Sequence, residues 1–189
     1  MRTLSGQLNR ISRGWVALAV TLVFALFVAL VLPGQSRSSA TAGAEIGSPD
    51  LSFWYAPDDL YRMAEAYGPA GRSEYVRARW SFDVVWPLVY VAFLSVTLAW
   101  TWGRRLAGLR LGRRANLLPV AAGAFDLLEN ACTSLVMLRY PARTPGADLL
   151  APISTLLKWA FLSVSFALLV VGLAWVVGRW VRGRTTKAS

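Results

Sequence analysis

Two acids and one lysine interrupt long apolar runs of this 189-residue sequence. Asp126 and Glu129 lie within residues 117–138, and Lys158 lies within residues 152–176. A charge at the centre of a bilayer costs about 2.5–3.5 kcal/mol on insertion scales, so such charges usually face the interior of a helix bundle and mark function. The chemistry open to them is ion pairing, proton transfer or binding of a small polar ligand. Because the chain contains no histidine, any proton chemistry must use carboxylates, Lys158 or tyrosine.

Further polar residues accompany these charges at helical spacing. At 100° per residue, Asn130 and Thr133 fall within the same 100° arc as the two acids. Ser154, Thr155, Ser165 and Gly172 fall on one stripe with Lys158. Asp83 and Tyr90 likewise share one face of the second span, at a spacing of seven. The candidate residues for binding a ligand or a proton are therefore Asp83, Tyr90, Asp126, Glu129, Asn130, Thr133 and Lys158.

Depth in the membrane decides which of these groups can meet. Glu129 lies about 13 Å and Lys158 about 9 Å below the outer ends of their helices, at 1.5 Å per residue. A lysine side chain spans that difference, so we predict a Glu129–Lys158 ion pair with Asn130 and Tyr90 as neighbours. Asp126 lies one turn deeper and has no obvious cation. We expect it to be protonated or to share a proton with Glu129, because nearby carboxylates disfavour two negative charges.

A purely structural interpretation stands beside the functional one. Lys158 can extend its ammonium to the membrane surface and pair with nothing. Asp126, Glu129 and Asn130 can act as interhelical hydrogen-bonding groups, each bond contributing about 0.6–2 kcal/mol. Three ionisable groups within apolar runs favour function over this alternative.

The elements that must position these groups are four apolar runs. A bilayer core needs about 20 apolar residues per helix, and the runs cover residues 15–33, 84–102, 117–138 and 152–176. The whole chain is 56% hydrophobic and only 16% charged. We predict an all-α polytopic membrane protein with four transmembrane helices. The first run is compatible with a signal peptide, but its 19 residues exceed the usual 7–15 and favour a retained anchor.

The distribution of charge predicts the orientation of the chain. Twelve lysines and arginines and no acid lie in residues 1–14, 103–116 and 177–189, which share one side of the membrane. Residues 34–83 and 139–151, on the other side, hold seven cations and eight acids. The positive-inside rule therefore predicts that both termini and the basic loop 103–116 are cytoplasmic.

The outer loop 34–83 is predicted to contain a short helical pair. Residues 34–49 have the composition of a flexible linker. Pro57-Asp58-Asp59 is typical of a helix start, and Gly68-Pro69 of its end. A second helix is predicted from about Gly71 to Trp80, with the arginines around Glu74 on its surface. The pair acts either as a spacer on the membrane surface or as a lid over a site between the spans.

Composition also narrows the cofactors and partners. Without histidine and with one cysteine, the chain cannot form a histidine-based triad, a histidine-ligated zinc or haem site, or an internal disulfide. We predict no metal and no cofactor. The net charge of +10 indicates anionic lipid head groups as the partner of the cytoplasmic face. Nucleic acid is not expected, because the longest inner loop has only 14 residues.

One pattern of residues resembles a known group of proteins. The residues are Gly71, Arg72, Tyr75, Asp83, Pro87 and Tyr90, followed by Phe125-Asp126-Leu127-Leu128-Glu129-Asn130. The pattern resembles that of uncharacterised small bacterial four-span membrane proteins, over residues 53–175. The resemblance implies a bacterial inner (plasma) membrane location and carries no activity with it.

Three functions are compatible with the sequence. The first is a polar pocket between the second, third and fourth spans that binds or passes a small solute, a proton or a lipid head group. The second is a lipid-active enzyme that uses carboxylate acid–base chemistry. The third is an accessory subunit of a membrane complex, in which the polar stripe only holds helices together. Four spans are few for a transporter, so the first function implies a homodimer or a larger complex.

Overall fold

The computed structural model of the protein describes residues 4–31, 33, 54–102 and 114–185, and these residues form an all-helical structure. The flexible linker expected at 34–49 and most of the basic loop 103–116 lie outside them. The helices are α1 (Leu4–Ile11), α2 (Gly14–Leu30), α3 (Pro57–Arg79), α4 (Phe82–Trp102), α5 (Leu118–Arg139) and α6 (Ala147–Thr185), with a 3₁₀ turn at Ala115–Leu117. The predicted all-α class is confirmed for the described part of the chain.

Several helices have the length and composition of membrane spans. Three helical segments pass this test, Pro57–Trp102, which comprises α3 and α4, Ala115–Arg139 and Ala147–Arg179. Helices α1 and α2 meet at 96° and supply a fourth span if the bent pair is counted as one. These apolar helices indicate insertion into a membrane.

Helices α5 and α6 form the most extensive helix pair, and α4 packs against both of them. Tyr90, Leu94 and Leu98 of α4 are buried in one core cluster with Ala122 of α5 and Leu169 of α6. Helix α2 packs mainly on α4 and leaves most of its surface exposed. The three helices that carry the candidate residues therefore share one interface.

A glycine allows α4 and α6 to approach closely. A Cβ atom at Gly172 would lie 2.7 Å from Trp102 Nε1 and 3.0 Å from Thr101 Cβ. Trp102 Nε1 also donates a hydrogen bond to the Leu168 carbonyl oxygen at 3.0 Å. Any side chain at position 172 must therefore move Trp102 and weaken that bond.

We expect Gly172→Ala to lower the free energy of unfolding by about 1–3 kcal/mol, because overpacking forces neighbouring side chains out of place. Gly178→Ala is the matched control on the same helix, since a Cβ there meets no atom within 4 Å. The control should be neutral or stabilising by up to about 1 kcal/mol, the helix propensity of alanine over glycine. Thermal unfolding in detergent measures both. Equal stability of the two variants would contradict the close approach.

Helix α3 is the predicted helical pair of the outer loop, joined through a break. Pro57 opens it, and the Asp59 carboxylate accepts a hydrogen bond from the Ala56 N–H at 2.8 Å. Gly68 has φ of 62°, a left-handed conformation that favours glycine, and Pro69 follows. Leu60 and Ala64 are fully buried in a cluster with residues of α5 and α6. The segment therefore packs on the bundle and does not stand apart from it.

Candidate functional site

One ammonium group lies between two carboxylates at the contact of α5 and α6. Lys158 Nζ is 2.6 Å from Glu129 Oε2 and 3.5 Å from Asp126 Oδ1. We call these three residues the Lys158 triad. The predicted Glu129–Lys158 ion pair is present. The expectation that Asp126 has no cation is wrong, because the long lysine side chain reaches both carboxylates.

The triad is closed off from solvent. Glu129 has no exposed surface, and Lys158 and Asp126 are each 7% exposed. The spacing of three residues places the two acids on the same face of α5, and that face packs against α6. Lys158 therefore does not extend unpaired to the surface, and that alternative from the sequence is wrong.

Helix α4 contributes a hydroxyl group to the triad. Tyr90 is 1% exposed, and its hydroxyl donates a hydrogen bond to Asp126 Oδ2 at 3.0 Å. Gly123 lies one turn before Asp126 on α5, and a Cβ at Gly123 would lie 2.6 Å from Val91 Cγ2. The absence of a side chain at Gly123 thus permits the approach of α4 that carries Tyr90 to the acid.

A second polar group lies between α3, α4 and α5. Arg79 Nη1 is 2.9 Å from Asp83 Oδ2 and donates a weaker hydrogen bond to Asn130 Oδ1 at 3.4 Å. Asn130 Nδ2 donates to the Asp83 carbonyl oxygen at 2.9 Å. We call Arg79 and Asp83 the outer pair. It fixes the junction of α3 and α4 to α5.

Sequence reasoning missed the burial of Arg79. The arginines around Glu74 were expected on the surface, and this is wrong for Arg79, which is only 4% exposed and stacks on the Tyr75 ring at 4.4 Å. The spacing offered a signal, because Tyr75, Arg79 and Asp83 recur every four residues, the distance at which helical side chains interact.

The predicted candidates therefore divide into three sets. Tyr90 joins the Lys158 triad, whereas Asp83 and Asn130 belong with Arg79. Thr133 donates to the carbonyl oxygens of Glu129 and Asn130 in its own helix. Two surface depressions of about 230 and 310 Å³ lie between α3 and the end of α5, and neither is lined by a residue of the triad. The triad is a direct contact within the described residues and not the wall of either depression.

Buried tyrosines attach residues 54–79, which comprise α3 and the turn before it and which we call the outer segment, to α6. Thr155 Oγ1 donates to the Tyr55 hydroxyl at 3.3 Å. Burial raises the pKa of Tyr55, so this phenol stays protonated. The Tyr61 hydroxyl accepts the Thr144 N–H at 2.7 Å and donates to Asp148 Oδ2 at 3.1 Å. These bonds hold the outer segment over the ends of α5 and α6.

Tyr61→Phe is expected to lower the free energy of unfolding by about 1–3 kcal/mol, because it leaves the buried Thr144 N–H and Asp148 without their partner. Tyr140→Phe is the control, since the half-buried Tyr140 hydroxyl makes no hydrogen bond to the residues that the structure describes. Thermal unfolding and limited proteolysis of α3 in detergent report the two effects. A Tyr61→Phe protein as stable as the control would contradict a role for this bond in docking α3.

Comparison of the chain with protein-family models, with curated proteins and with solved structures found no match. Within the described residues, no group of three or more acid or cysteine side chains is close enough together to hold a metal ion. The chemistry of the site must therefore be argued from its own geometry. It consists of two carboxylates, one ammonium and one phenol in direct contact.

Proposed function

We propose that the protein is an integral membrane protein whose Lys158 triad binds a proton and passes it across the membrane. One observation carries this proposal, the sharing of a single buried ammonium by two carboxylates. With all three groups ionised, the triad has a formal charge of −1 in a site that excludes solvent. An uncompensated buried charge is costly, and binding of one proton removes it. The outer pair carries one positive and one negative charge, so it does not change the net charge of the buried groups.

The geometry favours a proton over the larger ligands that the sequence allowed. Glu129 is fully buried and in direct contact with Lys158, so a solute or a lipid head group would have to separate the two helices. A proton needs no such space. Glu129 Oε1 has no hydrogen-bond partner among the described residues, which makes the ionised form of this carboxylate still less favourable.

Tyr90 places a hydroxyl group beside the carboxylates that we propose to hold the proton. Its hydroxyl contacts Asp126, and Asp126 and Glu129 both contact Lys158. A proton can therefore reside on either carboxylate with the ammonium between them, and the phenol can reorient as the charge on Asp126 changes. Carboxylates within membrane-spanning helices are a common component of proton relays.

We further propose four spans, with α2 as the first, and cytoplasmic termini in a bacterial plasma membrane. The charge asymmetry of the loops supports the orientation. The resemblance to bacterial four-span proteins supports the membrane. In this arrangement α3 covers the bundle on the outer side.

A structural role is the second candidate, in which the chain is an accessory subunit and the triad only joins α5 to α6. The closed, direct contact of the triad favours it. A lipid-active enzyme has less support, because no head group reaches Glu129 while α5 and α6 are packed together.

Infrared difference spectroscopy on the protein in lipid tests for the bound proton. At slightly alkaline pH, we expect the carbonyl band of one protonated carboxyl group, sensitive to solvent deuterium. Asp126→Asn or Glu129→Gln should remove the band, whereas Asp83→Asn should leave it, because Asp83 is paired with Arg79. A wild-type spectrum without such a band would overturn the proposal.

A further inference from the structure

Helix α1 exposes apolar side chains at both of its ends and buries two serines, one within the helix and one directly after it. Leu4 and Ile11 are 52% and 58% exposed, whereas Ser5 and Ser12 are 6% and 1% exposed. An amphipathic helix on a water-soluble protein shows the reverse, because its apolar stripe faces the core. Leu4 and Ile11, with the half-buried Leu8 between them at spacings of four and three, form an apolar stripe whose two end residues are not covered by the described chain.

Hydrogen bonds fix this orientation of α1. Ser5 Oγ donates to Asn116 Oδ1 at 2.8 Å, and Asn116 Nδ2 donates to the Ser5 carbonyl oxygen at 3.2 Å. The same amide nitrogen donates to Asn9 Oδ1 at 3.4 Å. Asn116 is 1% exposed and lies in the 3₁₀ turn before α5. The polar side of α1 is thus bound to the bundle, and the apolar side must face away from it.

Position and charge indicate what covers the apolar stripe. Helix α1 meets α2 at 96°, so it runs across the end of the helix that we propose as the first span. The stripe adjoins further exposed apolar side chains at the start of α2, with Trp15 68% exposed. Arg10 and Arg13 are exposed beside it, and the first 44 residues contain no acid. A second copy would bring like charges together, whereas anionic lipid complements them.

We propose that α1 lies in the plane of the bilayer interface, with Leu4, Leu8 and Ile11 among the acyl chains and Arg10 and Arg13 at anionic phosphate groups. Asn116 is the residue that holds the helix in this plane. The inference rests on the proposed insertion of the chain into a bilayer. It assigns α1 as a site for anionic phospholipid, separate from the Lys158 triad.

The test uses the full chain in lipid nanodiscs, spin-labelled at single cysteines in a Cys132→Ala background. Ile11→Cys reports the apolar stripe, and the adjacent Arg10→Cys reports the side turned about 100° away. Leu22→Cys, on the exposed surface of α2, reports insertion independently of α1. Collision rates with oxygen, which enters lipid, and with a water-soluble nickel chelate give the exposure of each label.

In nanodiscs rich in phosphatidylglycerol, we expect the oxygen-to-nickel ratio to be several-fold higher at Ile11 than at Arg10. The difference should shrink in phosphatidylcholine, and also in Asn116→Ala, which releases α1. A lipid-exposed Leu22 label with equal ratios at Ile11 and Arg10 would overturn the inference and leave insertion standing. A water-exposed Leu22 label would overturn both. Spin–spin broadening between copies at Ile11 would assign the stripe to a second copy instead.

Discussion

Replacing Lys158 by methionine is expected to lower the free energy of unfolding by about 3–5 kcal/mol, the usual cost of removing one partner from a buried ion pair. The effect is large because Lys158 is the cation that contacts both Asp126 and Glu129. Methionine retains the length of the side chain, so the loss of packing is small. Equilibrium unfolding in mixed detergent micelles measures the change.

A second substitution in the Lys158→Met protein distinguishes the loss of charge pairing from the loss of packing. Lys158→Met combined with Glu129→Gln should regain at least half of the lost stability, because it removes one of the two carboxylates left without a cation. Arg143→Met is the control for loss of a cation, since the Arg143–Asp58 pair is exposed and such pairs contribute at most about 1 kcal/mol. A Lys158→Met protein no less stable than the Arg143→Met control would show that the triad does not hold α5 to α6.

The sequence was sufficient to predict the helices and the main ion pair. Long apolar runs have few alternatives to helices, and the spacing of Asp126 and Glu129 places both on one face whatever their partners are. Glu129 and Lys158 lie at similar depths in two neighbouring helices, and this similarity was enough to predict that they pair. The reach of Lys158 to Asp126 could not be predicted, because it depends on how far α6 slides and rotates along α5, which sequence spacing does not define.

Arg79 and α1 were missed for a different reason. Both lie at the ends of apolar runs, where a residue can face water, lipid or protein. The sequence of α1 has apolar and polar stripes, but only the bond of Ser5 to Asn116, 111 residues away, decides which stripe is buried. Arg79 likewise depends on the turn between α3 and α4, which directs it towards Asn130. Such long-range contacts have no signature in local spacing.

The two acids of the Lys158 triad are expected to control proton flux through the protein. Asp126→Asn and Glu129→Gln each remove the site on which the proposed proton resides, while amide groups keep the size and hydrogen-bonding capacity of the side chains. We expect either change to lower proton flux by about 100-fold, at the lower end of what a positioned acid–base group contributes. Glu65→Gln is the matched control, because Glu65 is an exposed acid of α3 outside the triad.

Proton flux into proteoliposomes of defined lipid composition shows whether the Lys158 triad passes a proton across the membrane. A potassium diffusion potential drives the flux, and an enclosed pH-sensitive dye reports it. The proposal predicts a wild-type flux above that of empty liposomes, unchanged in Glu65→Gln and lost in Glu129→Gln protein of normal unfolding temperature. A wild-type flux equal to that of empty liposomes, or a flux that Glu129→Gln leaves intact, would contradict proton exchange by the Lys158 triad and favour its role as a structural contact between α5 and α6.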